Sequence, residues 1–126
     1  MILTASLAVA AAALQNAAPQ WRPIVETPEY NLSWDAANLT REGDVATIRL
    51  RVDHVPARQG VNAYSVSRVD IRCATSESRV FDTVNYAADG TEGIRDATPL
   101  PFEPIPAGSI AVRLHELACP ASPTQA

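Results

Sequence analysis

The chain contains no lysine. All ten of its basic residues are Arg, set against 14 Asp plus Glu, for a formal net charge of −4. Without a basic excess, counterion release cannot drive general binding to nucleic acid or anionic lipid, so the composition argues against both. Glycine is scarce, five residues in 126, and none forms a phosphate-cradling loop. Ser65, Ser67, Ser76, Ser78 and Ser109 lack the Gly-x-Ser-x-Gly surroundings of a nucleophile elbow. Two Cys and two His offer few ligands for a transition metal. His54 ends a long strand pattern and His115 sits near a helix C-terminus, with no third ligand at a characteristic spacing. The turns Arg41-Glu42-Gly43-Asp44 and Asp89-Gly90 lack the alternating acids of a calcium loop. No catalytic residue, metal or cofactor is expected, and nothing in the pattern supports an enzyme.

What is present begins with a leader. Ile2 to Ala18 carries no charge, is rich in Ala, Leu and Val, and stops at Pro19. Small residues at Ala11, Ala13, Ala17 and Ala18 suit a signal peptidase, so residues 1–18 read as a secretory signal cleaved just before Ala18 or Pro19. No Lys or Arg follows Met1, so the positive n-region is reduced to the α-amino group. No Cys lies nearby to take a lipid anchor. The expected organisation is a leader at 1–18, one domain at 19–120 and a flexible tail at 121–126. An even cysteine count in an exported chain points to one disulfide, Cys73 to Cys119. It would close a loop of about 47 residues, for which chain entropy gives roughly 4 kcal/mol.

Along the domain, period-two patterns dominate. Trp21 to Glu26, interrupted by Pro23, suits an edge strand, and Tyr30 to Trp34 a second short strand. Asp35 to Asn38 reads as a turn, and Arg41 to Asp44 as a turn before a long strand. In Val45 to Val55, Ala46, Ile48, Leu50 and Val52 share one face while Arg49, Arg51 and Asp53 share the other. Pro56 to Gly60 reads as a loop. In Tyr64 to Cys73, Val69, Ile71 and Cys73 oppose Arg68, Asp70 and Arg72. Tyr64 and Val66 fall on the charged parity, which calls for a bulge or for a partner covering that end. A strand from about Arg79 to Ala87 stops at the hairpin signal Asp89-Gly90, and Thr91 to Asp96 can pair back. Pro99, Pro101, Pro104 and Pro106 make an extended stretch unfit for a central strand. Ser109 is placed as the N-cap of the one convincing helix, whose apolar stripe is Ile110, Leu114 and Leu117. The disulfide would tie the end of that helix to the inner face of the sheet.

Three features together resemble the surface-adhesin protein E family of Gram-negative bacteria. They are the strand Tyr64-Ser-Val-Ser-Arg-Val-Asp-Ile-Arg-Cys73, the helix start Pro104-Ile-Pro-Ala-Gly-Ser109 and the terminal Cys119. The likeness runs from Trp21 to Cys119. It implies an α+β, mainly β fold: a small antiparallel sheet of about six strands with one C-terminal helix packed on it and pinned by the disulfide. It also implies adhesin-type binding of protein partners and dimerisation through the sheet. The chain departs from the family's known adhesins in having neither a lipid-anchor Cys nor any Lys.

The one patterned surface is the charged face, with Arg49, Arg51, Arg68, Asp70 and Arg72 as candidate interaction residues. It reads either as a solvated face of cross-strand ion pairs or as a recognition surface for an acidic partner, where the Arg fork would matter. The functional expectation is an exported interaction module, in the periplasm or at the outer cell surface, not lipid-anchored and without catalysis. The alternative is a periplasmic small-ligand binder using the concave face of the sheet under the helix.

Overall fold

A computed structural model describes residues 17–55 and 62–120. The body of the leader (1–16), the Pro56 to Gly60 loop and the tail at 121–126 lie outside the described residues. Eight strands and one helix follow in chain order: β1 (Trp21–Glu26), β2 (Tyr30–Asp35), β3 (Thr40–Glu42), β4 (Val45–His54), β5 (Tyr64–Arg72), β6 (Glu77–Tyr86), β7 (Glu92–Asp96), β8 (Glu103–Pro104) and α1 (Ile110–Ala118). They form one antiparallel sheet in the order β1-β2-β4-β5-β6-β7. β3 continues the β2 column against the start of β4, and β8 pairs with the start of β6. The eight strands thus fill the six columns expected of the mainly β fold.

The central pair β4–β5 holds its register without interruption from Val45↔Arg72 to Asp53↔Tyr64. That register places Ala46 opposite Ile71 and Ile48 opposite Val69 on the inner face, where helix α1 lays Leu114 and Ala118 over them. These six residues are the core, each at most 3% exposed. Cys73 and Cys119 are joined beside it, with Cα atoms 5.6 Å apart. The bridge ties the chain just beyond β5 to the residue that caps α1.

Several local expectations are refined. Arg41 and Glu42 belong to β3, not to the turn; three exposed charged or hydroxyl residues carry no apolar alternation to announce a strand. The turn is the two-residue Gly43-Asp44, with Gly43 at φ +61° supplying the left-handed first position of a hairpin. Asp35 is the last residue of β2 and also opens the expected turn through Ala36 and Ala37, accepting from the Ala37 N–H at 3.0 Å. The Asp89-Gly90 hairpin is real, and Gly90 takes φ +91° as the residue after a turn closed by its N–H to the Ala87 carbonyl at 2.9 Å. β5 has no bulge of its own against β4, so Tyr64 and Val66 do face the charged side. The irregularity lies in the neighbouring strand, where Asp82 adopts φ +61° and the β5–β6 register shifts. Ser109 occupies the N-cap position, but its side chain makes no capping bond. The Pro106–Ser109 turn brings the Pro106 carbonyl within 2.7 Å of the Ser109 hydroxyl, which donates there.

Candidate functional site: an arginine–aromatic sheet face

The face of the sheet opposite the helix is built from strand parity. Thr47, Arg49, Arg51 and Asp53 of β4 stand opposite Asp70, Arg68, Val66 and Tyr64 of β5 in direct register. From β6, Arg79, Phe81, Val84 and Tyr86 extend the same rows. Five guanidiniums here lie over aromatic rings. Arg51 sits 3.9 Å above the Tyr64 ring, which stacks on Tyr86 with centroids 5.0 Å apart. Arg49 and Arg51 flank Trp21 at 5.7 and 5.9 Å, and Arg68 lies 5.1 Å from Phe81. Arg72 and Arg79 share Phe102, at 3.9 and 4.5 Å. Phe102 comes from the proline-rich stretch before β8, which folds back against this end of the sheet.

The carboxylates sort into two kinds. Asp35 and Asp70, 0% and 2% exposed, are internal anchors. Asp35 accepts from the Gln20 and Ala37 N–H groups at 2.9 and 3.0 Å and from the Asn38 amide at 2.7 Å. Burial alone would raise its pKa. The hydrogen bonds from Gln20, Asn38 and Ala37, with the charge of Arg49, outweigh that and hold it below the usual carboxylate value. Asp70 accepts from the Thr47 hydroxyl at 2.8 Å and from Arg79 Nε at 3.0 Å. Asp53 and Asp82 instead grip single arginines in two-point bonds: Arg51 on Asp53 at 2.9 to 3.1 Å, and Arg95 on Asp82 at 2.8 Å.

Of the five residues expected on the interaction face, all four arginines lie there at the surface. Asp70 shares the parity but is buried, and its oxygens are turned to Thr47 and Arg79. Arg68 and Arg72 contact Asp70 and Glu77 only at 3.6 and 3.4 Å. A depression of about 280 Å³ opens on this face with Val66 and Val84 at its base. Arg49, Arg68, Asp82, Tyr86, Glu92 and Arg95 surround it. It is not under the helix, where the small-ligand alternative would need it.

Residues that sequence pattern did not single out complete the picture. Trp21 and Phe102 reach the arginines from distant segments, and no spacing announces them. Arg41 bonds the Ala118 carbonyl at the C-terminus of α1, where the helix dipole favours a cation. His115 is half-buried, not at the surface, and its Nε2–H donates to the Cys73 carbonyl at 3.1 Å. Among the described residues no group of three His, Cys, Asp or Glu side chains is arranged to hold a metal ion.

The family model for surface-adhesin protein E matches residues 21–120, from the first strand to the residue after the disulfide. The chain belongs to the surface-adhesin protein E family. Neither a curated protein nor a solved structure matches it. Membership carries a surface-exposed, adhesin-like role at the level of the family. Among the described residues no helix is long and apolar enough to cross a membrane.

Proposed function

We propose that this adhesin E family member is an exported, non-catalytic module that binds a protein partner, in the periplasm or at the outer cell surface, through the open arginine–aromatic face of its sheet. One observation carries the reading. The helix covers the opposite face, whereas the row Trp21, Arg51, Tyr64 and Tyr86, with Arg68 on Phe81, lies at or near the surface with no element among the described residues packed across it. Tyr, Trp, Phe and Arg are the side chains that protein interfaces favour, because stacked rings and held guanidiniums lose little conformational freedom on binding. The absence of Lys suits such a surface, since a flexible ammonium neither stacks flat nor forks onto a carboxylate.

The test places benzoylphenylalanine at position 81 on this face, and at position 80 on the other, in the full-length protein in its own cells. Crosslinks from position 81 that position 80 does not give support the reading. Equal crosslinking, or none from position 81, removes it. An adduct of twice the protein's mass identifies a second copy as the partner. Added protease on intact cells separates surface display from the periplasm.

A further inference from the structure

Most arginines on the outer face hydrogen-bond to an acid within it; Arg49 and Arg68 have ion pairs alone. Arg49 and Arg68 are directly opposite each other across β4 and β5, a like-charge pairing that sheets disfavour. Their nearest carboxylates, Asp35 and Asp70, lie at 3.5 and 3.6 Å, and neither contact is a hydrogen bond. Both acids are already engaged by other donors. The two arginine side chains remain 40% and 48% exposed. By contrast, Arg51, Arg79 and Arg95 hold their acids at 2.8 to 3.1 Å. Asp35 and Asp70 thus attract the facing pair by charge without hydrogen-bonding to it, while Trp21 and Phe81 keep its guanidiniums in place.

We infer that Arg49 and Arg68 form a two-guanidinium subsite for a carboxylate side chain of the partner polypeptide, a step that rests on the outer face being the binding surface. Both arginines border the depression whose base is Val66 and Val84, 8% and 7% exposed. An apolar base beside paired forks suits a glutamate, whose methylenes would cover the valines while its carboxylate accepts from both arginines. Glu92 on the rim repels an anion, and Asp82 is neutralised by Arg95, so the carboxylate belongs at the Arg49–Arg68 end. Each arginine gains the hydrogen-bonded acid that the fold does not give it.

The probe is an acetylated, amidated tetraglutamate peptide titrated into the folded protein, read by the Nε–H signals of arginine in nitrogen–proton spectra. Saturable shifts at Arg49 and Arg68, exceeding those at Arg51 and Arg79, are expected. Arg49→Gln with Arg68→Gln should weaken binding at least tenfold. The double Lys variant should fall between, having charge without the fork, and Arg113→Gln on the helix should change nothing. Uniform shifts at every exposed arginine, or unchanged affinity of the double Gln variant, overturn the inference. So does a site that saturates with inorganic sulfate but not with the peptide. Crosslinking from position 81 that survives the double Gln substitution removes the subsite and leaves the face standing. Loss of that crosslinking in the parent protein removes the face itself.

Discussion

Replacing Cys73 and Cys119 together by Ser should lower the unfolding midpoint by roughly 10–20 °C. The bridge spans 46 residues of sequence. Releasing that loop in the unfolded chain corresponds to about 4 kcal/mol, an upper figure because residual denatured-state structure reduces it. For a domain near 100 residues, each kcal/mol moves the midpoint by about 4–8 °C, with the smaller value applying at this size. The structure adds a local signature. Helix α1 has nine residues, too few to persist without tertiary support. Apart from the disulfide it is held by Leu114 and Ala118 in the core and by the bonds from Arg41 to the Ala118 carbonyl and from His115 to the Cys73 carbonyl. In the double variant, amide exchange across Ile110–Ala118 should therefore rise before exchange in β4 and β5 does. Differential scanning calorimetry under non-reducing conditions, with exchange followed residue by residue, gives both readouts. A midpoint within about 3 °C of the parent, with helix exchange unchanged, would refute the entropic account.

Three further outcomes follow from the packing and the charges. Leu114→Ala, at a side chain 1% exposed between the helix and the sheet, should cost about 2–5 kcal/mol by urea unfolding. Asp35 has a folded pKa below the ordinary value of 3.8. Its contribution is complete above the unfolded pKa and fades as pH falls through the folded one. An acid titration of stability should accordingly show a loss below pH 3.8 that Asp35→Asn diminishes, at a cost of about 1–3 kcal/mol at neutral pH. Arg51→Lys should lower stability by about 1 kcal/mol, because Lys keeps the charge but neither forks onto Asp53 nor lies flat on Tyr64; equal denaturant midpoints would contradict this.

Much of the fold is legible where one strong pattern decides it. In β4 and β5 the alternation of aliphatic and charged residues sets both faces, and the parity of Cys73 places the disulfide on the helix side. The same parity put Tyr64 and Val66 among the charges. That apparent mismatch was the visible trace of the site, since Tyr64 is the ring on which Arg51 lies. What escapes a linear reading is whatever depends on pairing between distant segments. β3 is recognisable only once β4 lies beside it. Trp21 meets Arg49 and Arg51 because its edge strand β1 is separated from β4 by β2 alone, and Phe102 meets Arg72 and Arg79 because the proline-rich stretch folds back. The bulge at Asp82 is hidden for another reason: aspartate tolerates a left-handed backbone without the glycine that would advertise it.

The missing lysine acquires a physical meaning on this face. A sheet surface that carries Arg49, Arg51, Arg68, Arg72, Arg79 and Arg95 within a few strands would repel itself if the cations were mobile point charges. Here five of the six are held against aromatic rings, and the sixth is locked on Asp82. Planar, weakly hydrated guanidiniums accept that treatment and ammonium groups do not. Rigid cations have less freedom to lose when a partner arrives, so an anionic group can be captured at lower entropic cost than by free surface lysines. The near-neutral total of the face limits long-range attraction and confines recognition to the spot where pairing is incomplete. Such a surface selects by geometry, and the place where its geometry is unfinished is the Arg49–Arg68 pair.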